Sequence, residues 1–202
     1  MCGRFYEPED DDNELIVRII RMAEERAKRL QAGPVARGEV FPAQTVAALA
    51  PNRHGEPEAF PMHWGYRLRD GKQLINTRSE TAAEKPMFRD SFARRRCLIP
   101  AAWYYEWEHS GTKRRHALRP AWDGPVWLMG IYRFEEGQRL PALSILTRPP
   151  APEIAFIHDR MPAICPPDRI EEWLDQRTDP GPMVGLAQPM RQVQDLSVGK
   201  GI

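Results

Sequence analysis

Apolar residues in this chain repeat first at a helical period and then, for most of its length, at an extended one. Leu15, Ile16, Ile19, Ala23, Ala27 and Leu30 share one face of a helix, and the other face is charged, so this helix is expected on the outside of the domain. Asp10 to Asp12 supply N-cap candidates, Asp11 and Glu14 stand at capping-box spacing, and Gly33-Pro34 ends the run. Glu39 to Thr45 reads as a loop into an apolar strand, Val46 to Ala50. Asn52 to Glu58 reads as a turn and Phe60 to Tyr66 as an aromatic-rich strand. Past the turn signal Asp70-Gly71, Leu74 to Thr81 predicts a short strand running into a helix start capped by Ser79 or Thr77. Pro86 divides that helical stretch, and Met87, Phe88 and Phe92 give its second half an apolar face.

The second half of the chain is extended almost throughout. Arg96 to Trp107 is one long β-rich run, and Ser110-Gly111 marks a hairpin turn into Arg115 to Arg119. Val126 to Phe134 and Leu140 to Thr147 are two further strands joined through Glu136-Gly137. Pro149 to Pro152 is a rigid loop, Asp168 is placed to cap a short helix to Leu174, and one more strand is expected near Val193. Strands that follow one another without intervening helices predict an α+β fold with a largely antiparallel sheet and flanking helices.

Composition narrows this picture only a little. The 202 residues suit a single domain over 1–202, with a tail from about residue 176 that has little pattern of its own. Net charge is +1, so no global attraction to nucleic acid or membrane is expected. The local basic runs, Arg94-Arg95-Arg96 and Lys113-Arg114-Arg115, are expected to be solvated faces. The three cysteines, Cys2, Cys97 and Cys165, have no paired or metal-type spacing, which predicts reduced thiols, no metal and a cytoplasmic protein. No leader-like segment and no long apolar run is present, so no membrane span is expected.

The candidate chemistry begins at Met1-Cys2-Gly3-Arg4. Removal of Met1 would leave Cys2 with an α-amine and a thiol on adjacent carbons. The amine has a reference pKa of about 8, so a neutral, nucleophilic fraction exists near neutral pH. It can condense with an aldehyde to an imine, and the thiol can then close a thiazolidine ring. It can equally serve an N-terminal nucleophile as its own base. Further along, Glu106 interrupts an aromatic strand; strict alternation puts it on the face of Tyr104 and Glu108, opposite Tyr105 and Trp107. Asn76 and Arg78 alternate, so a strand points both the same way, and His158 lies beside Arg160 after an apolar turn.

Taken in order, Cys2-Gly3-Arg4, Asn76-x-Arg78-x-Glu80-Thr81, Pro100-Ala101 with Tyr105-Glu106-Trp107, and His158-Asp159-Arg160-Met161-Pro162 resemble the SRAP family. These are the SOS-response-associated peptidase-like proteins that shield abasic sites in DNA. The resemblance runs from residue 2 to about residue 175. It implies a single SRAP-like domain with a barrel-like antiparallel β core. It also implies covalent capture of abasic sites in single-stranded DNA by a monomer, with no cofactor, metal or membrane partner, in the cytoplasm or on a bacterial nucleoid.

Carried over by position, the resemblance makes Cys2 the crosslinked residue and Asn76 the one that orients it. Glu106 becomes the proton-transfer group, and His158 assists opening of the sugar. Arg4, Arg78 and Arg160 become phosphate contacts, with Pro42, Trp107 and Thr147 lining the groove. Three positions depart from the family's pattern: Glu39 where Asn is frequent, Trp64-Gly65-Tyr66-Arg67-Leu68-Arg69 in place of a Trp-rich loop, and Ala102-Trp103 before the Tyr-Glu-Trp run. The alternatives are an N-terminal-Cys amidohydrolase or peptidase acting in trans, and a single-stranded-DNA binding module in which Cys2 is incidental. Amidohydrolases of that kind need an Asn-Gly segment, and this chain has none.

Overall fold

The structure, a computed structural model, describes residues 2–8, 13–109, 111 and 113–193. Met1, the proposed caps Asp10 to Asp12, and Ser110 of the predicted hairpin turn lie outside the described residues. The first half contains β1 (Arg4–Glu7), α1 (Glu14–Arg29), β2 (Gly38–Val40), β3 (Thr45–Pro51), β4 (Pro57–Trp64), β5 (Tyr66–Arg67), β6 (Gln73–Leu74), β7 (Asn76–Arg78) and α2 (Arg89–Arg94). The second half contains β8 (Arg96–Ala101), β9 (Trp103–Trp107), β10 (Arg115–Pro120), β11 (Val126–Arg133), β12 (Ala142–Arg148), β13 (Met161–Pro162), β14 (Ile164–Cys165), α3 (Ile170–Leu174), α4 (Gly181–Val184) and β15 (Met190–Val193).

One sheet runs β15-β10-β9-β1-β2, all antiparallel. The other runs β13-β12-β4-β3-β8-β11-β14, and β11 also pairs with β12, which closes a ring. The exceptions to antiparallel pairing are at β12, which lies parallel to both β4 and β7. This is the α+β, barrel-like architecture expected from the sequence.

The ring buries both of its faces. Val46, Ala48 and Ala50 of β3 join Cys97, Ile99, Val126, Leu128, Leu143 and Ile145 in an inner core that also holds Phe5, Tyr104 and Leu118 from the other sheet. Ala47, Leu98, Met129, Ile131 and Leu146 point outward into a second core under Ile16, Ile19 and Ile20 of α1, Phe92 of α2 and Trp173 of α3. A sheet covered on both sides reads as continuous apolar runs rather than strict alternation. Each fully buried Ile of α1 contributes about 1.5–3 kcal/mol relative to an exposed one. Helix α1 is capped by Asn13, whose side-chain oxygen accepts from the Ile16 amide at 3.4 Å, one residue beyond the predicted Asp cluster.

Other local expectations are corrected. The segment read as a loop contains β2, whose Val40 and Glu39 pair with Phe5 and Tyr6. The long run over 96–107 breaks at Ala102, whose amide donates to the Tyr6 carbonyl at 2.8 Å, and its halves enter different sheets. Ser79 and Thr77 cap nothing: Ser79–Thr81 is a single 3-10 turn, and Thr77 Oγ1 pairs with Ser144 Oγ at 2.8 Å. Asp168 sits inside a 3-10 turn before α3 and makes no cap.

Arg96 is not on a solvated face but fully buried. Its guanidinium donates to the carbonyls of Trp173 (2.7 Å), Ala93 (2.6 Å), Phe92 (3.2 Å) and Asp175, tying α2 and α3 to β8.

Candidate functional site

Residue 2 sits at the mouth of the inner core, and the sheets deliver the other polar groups to it. Strand β1 is held between β2 and β9, with Arg4 opposite Tyr105 and Phe5 opposite Tyr104, so the backbone just before Arg4 runs beside Glu106. Cys2 is buried within the inner core. Its thiol donates weakly to the Arg4 carbonyl at 3.9 Å. Burial, and then the nearby Glu106 carboxylate, push that thiol well above its ordinary range.

Asn76 opens β7, which β12 holds in register through Asn76 opposite Ile145. Its amide Nδ2 donates to the Cys2 carbonyl at 2.8 Å, a bond spanning most of the chain's first half. Its Oδ1 is buried without a hydrogen-bond partner among the described residues, an acceptor facing the site with nothing to accept.

Glu106 and His158 form the second polar group. Both are largely buried, and His158 Nε2 lies 3.7 Å from Glu106 Oε1. Burial raises the Glu106 carboxyl and lowers His158 to about 4 from an ordinary 6.5. The two shifts act in opposite directions, so burial disfavours the charged form of both groups. The other ring nitrogen of His158 is contested. The Arg160 amide points at Nδ1 from 3.0 Å, while Asp159 Oδ1 approaches the same atom at 2.7 Å. The first contact requires a bare Nδ1 and the second a protonated one, so the two select opposite tautomers.

The His109 ring packs against that of His158, with centroids 3.8 Å apart and the planes tilted by 44°. His109, His158 and Asp159 each offer a ligand atom within 4.8 Å of the others, a spacing compatible with one divalent ion.

The proposed phosphate contacts flank this centre. On one side Arg4 lies over the Phe41 ring at 4.1 Å and near Trp107 at 5.4 Å, and Pro42, half-buried, follows Phe41 in the chain. Arg4 also donates to Glu39 at 2.8 Å, and Glu39 accepts from Arg115 at 3.0 Å. On the other side Arg78 is exposed at the end of β7, opposite Thr147 of β12. Thr147 does not line the surface: it is fully buried, and its carbonyl accepts from Arg160 at 2.6 Å. Arg160 also pairs with both oxygens of Glu80, whose carboxyl its hydrogen bonds hold down to about 2.

Cys2, Asn76, Glu106 and His158 are therefore brought together, with Arg4 and Trp107 on one flank and Arg78 and Arg160 on the other. Sequence reasoning missed Phe41 and the carboxylate partners Glu39 and Glu80. Glu39 was visible as a departure from the family pattern, and Glu80 lay inside a motif, but neither had a partner legible in the sequence.

The sequence profile described as SOS response associated peptidase (SRAP) matches residues 1–200. The abasic site processing protein YoqW of Bacillus subtilis is 35% identical over 132 residues, covering 62% of this chain and 59% of that protein. The chain thus spans less than two thirds of YoqW's length. The abasic site processing protein YedK of Escherichia coli is 31% identical over 183 residues, covering 87% of this chain and 80% of that protein. In structure, a protein from Bacteroides thetaiotaomicron superposes with a TM-score of 0.74 at 20% identity, over 99% of this chain and 95% of the other, a likeness of fold. With the profile running through all four motif segments and the ring fold shared along the chain, this protein belongs to the SRAP family.

Proposed function

We propose that this protein captures abasic sites in single-stranded DNA covalently through Cys2. The observation that carries the reading is the Asn76 bond to the Cys2 carbonyl beside the Glu106–His158 pair. Residue 2 is held through its carbonyl by Asn76, far along the chain, although its neighbours in sequence are only Gly3 and a strand start. Its relatives YoqW and YedK are named abasic site processing proteins, which supports the same class of substrate.

The reaction follows from the groups present. Met1 is removed, by the chain itself or otherwise, and frees the α-amine; the unpartnered Oδ1 of Asn76 is an acceptor for it. Ring opening of the sugar moves one proton off the C1′ hydroxyl and one onto the ring oxygen, with Glu106 and His158 as the transfer groups. The amine attacks the aldehyde carbon, one water leaves, and the thiol adds to the imine. The product is a thiazolidine, which has no aldehyde and cannot undergo β-elimination. No cofactor takes part in these steps. Arg4, Arg78 and Arg160 engage phosphates, and Phe41 and Trp107 offer faces for stacked bases, a mode that tolerates any sequence. The protein works as a monomer in the cytoplasm.

The test is a denaturing gel of mature protein with a glycosylase-treated uracil oligonucleotide. A heat-stable adduct with the mass of protein plus DNA minus one water is expected. Loss of this adduct is expected for Cys2→Ala and for a form with an uncleavable N-terminal extension. A wild-type yield from either variant overturns the aminothiol reading, and hydrolysis of peptides by a protein that makes no adduct favours a peptidase in trans.

A further inference from the structure

Tyr104 lies two residues before Glu106 on β9 and points to the same side of the sheet. The split of its strand makes this plain: Trp103 and Tyr105 pack with Tyr6 on one face, while Tyr104 packs into the inner core with Cys2, Phe5 and Leu118. Tyr104 is fully buried. Its hydroxyl has no hydrogen-bond partner among the described residues. A buried hydroxyl left unpaired is destabilising, and a phenylalanine would fill the same space without that cost. The hydroxyl shares that core with Cys2 and that side of β9 with Glu106, and after burial the charges of both disfavour its ionisation.

The Cys2 sulfur has the complementary deficit. Its proton goes weakly to the Arg4 carbonyl, and no donor among the described residues reaches its lone pairs. Burial also makes this thiol hard to ionise. Ring closure nevertheless requires the sulfur to act as a nucleophile in that same setting.

We propose that the Tyr104 hydroxyl donates a hydrogen bond to the Cys2 sulfur as the thiazolidine ring closes, so that Tyr104 governs the second covalent step and not the first. The proposal rests on the covalent-capture reading above. In that second step the sulfur–C1′ bond forms, the C=N double bond becomes a C–N single bond, and the thiol proton passes by way of Glu106 to the ring nitrogen. Nothing is oxidised or reduced. A donor aimed at the sulfur offsets the negative charge that gathers there while the proton is in transit. A neutral tyrosine, whose hydroxyl burial holds firmly protonated, is suited to donate without giving its proton up. Formation of the imine involves the amine and the aldehyde alone, and owes nothing to this bond.

The two steps separate experimentally, because borohydride traps an imine and leaves a thiazolidine untouched. Mature wild-type protein and Tyr104→Phe are mixed with abasic single-stranded oligonucleotide and quenched over time with and without borohydride. Tyr104→Phe is expected to reach the borohydride-trapped species at the wild-type rate. Its conversion to the heat-stable, borohydride-independent adduct is expected to slow about 10- to 100-fold, the effect of one hydrogen bond to a charged group. In a Cys2→Ala background, which retains the amine, Tyr104→Phe should leave imine trapping unchanged.

The melting temperature of Tyr104→Phe should equal or exceed that of wild type, since an unpaired buried hydroxyl is lost, so slow closure cannot be ascribed to misfolding. Equal closure rates in the two proteins, or equal slowing of both steps, overturn the role of Tyr104 and leave the capture reading intact. Failure of wild type itself to form any adduct overturns both.

Discussion

Arg4 and Glu39 are joined by a hydrogen-bonded ion pair of 2.8 Å, so an arginine proposed to meet DNA is already neutralised in the free protein. Glu39 holds Arg115 in the same way at 3.0 Å, and the two guanidinium groups lie over Phe41 and Tyr105. A phosphate entering here competes with a built-in carboxylate. Glu39→Gln should therefore tighten binding of intact single-stranded DNA by about two- to five-fold, the range of a partly exposed ion pair. It should also steepen the log–log salt slope by up to roughly 0.7. Fluorescence anisotropy across a salt series measures both, and weaker binding by the variant would remove Glu39 from this role.

Arg78 and Arg160 are expected to differ although both are proposed as phosphate contacts. Arg78 is exposed, and Arg78→Ala should weaken binding uniformly across sequences, flatten the salt slope by roughly 0.7 and leave the melting temperature unchanged. Arg160 supports Glu80 and the Thr147 carbonyl, so Arg160→Ala should lose both affinity and thermal stability. Identical melting temperatures for the two variants would show that Arg160 has no structural share.

Glu106→Gln preserves shape and removes the proton acceptor. Supplied with Cys2 already freed by a protease, it should bind abasic DNA at near wild-type affinity and crosslink about 100-fold more slowly or worse, as for loss of a general base. A single-turnover time course reads this directly, and a wild-type rate would place the proton transfer elsewhere.

His158 links the site to stability. Its folded value of about 4 lies below the ordinary 6.5, so the unfolded chain takes up a proton that the folded chain refuses. The stability from a neutral His158 is whole above pH 6.5 and is lost progressively as pH falls from 6.5 to 4. Below pH 4 both states are protonated and the dependence ends. Urea midpoints measured from pH 7.5 to 4 should fall less for His158→Gln than for wild type, and parallel curves would contradict the assignment.

Arg96→Ala should destabilise the fold by about 3–5 kcal/mol, since it removes a buried guanidinium that donates to the carbonyls of Trp173, Phe92, Ala93 and Asp175 at the junction of α2, α3 and β8. Arg96→Lys should recover little, because an ammonium cannot reach acceptors spread around a planar guanidinium. Chemical denaturation followed by tryptophan fluorescence, to which Trp173 contributes, measures the loss.

The period of the apolar residues was enough to read α1, β3, β4, β10, β11 and β12, because each long element buries a regular stripe. It failed at β2, which is three residues long and exists only because Phe5 and Tyr6 pair with it from far upstream. It failed at Ala102, where a continuous β-rich run turns a corner on a tertiary hydrogen bond to Tyr6. It also failed at Arg96, since a run of three arginines looks like surface whatever lies behind it. In the site, the order of four motifs made Cys2, Asn76, Glu106 and His158 legible. The bond from Asn76 to Cys2 was not, because it depends on the parallel register of β7 against β12. The ion pairs of Glu39 and Glu80 depend likewise on how distant strands meet.

The ring has a consequence for the timing of synthesis. A chain leaves the ribosome N-terminus first, so Cys2 emerges long before Asn76, Glu106 or His158 has been translated. The strand that carries Arg4 cannot be clasped until β9 follows it, and Asn76 is not locked in register until β12 has arrived. Even then, His158 lies beyond the closure of β11 onto β12. A nascent chain therefore carries Cys2 before the groups that surround it in the folded protein exist. The site proposed for capture is therefore complete only after the ring has closed and the segment carrying His158 has followed β12.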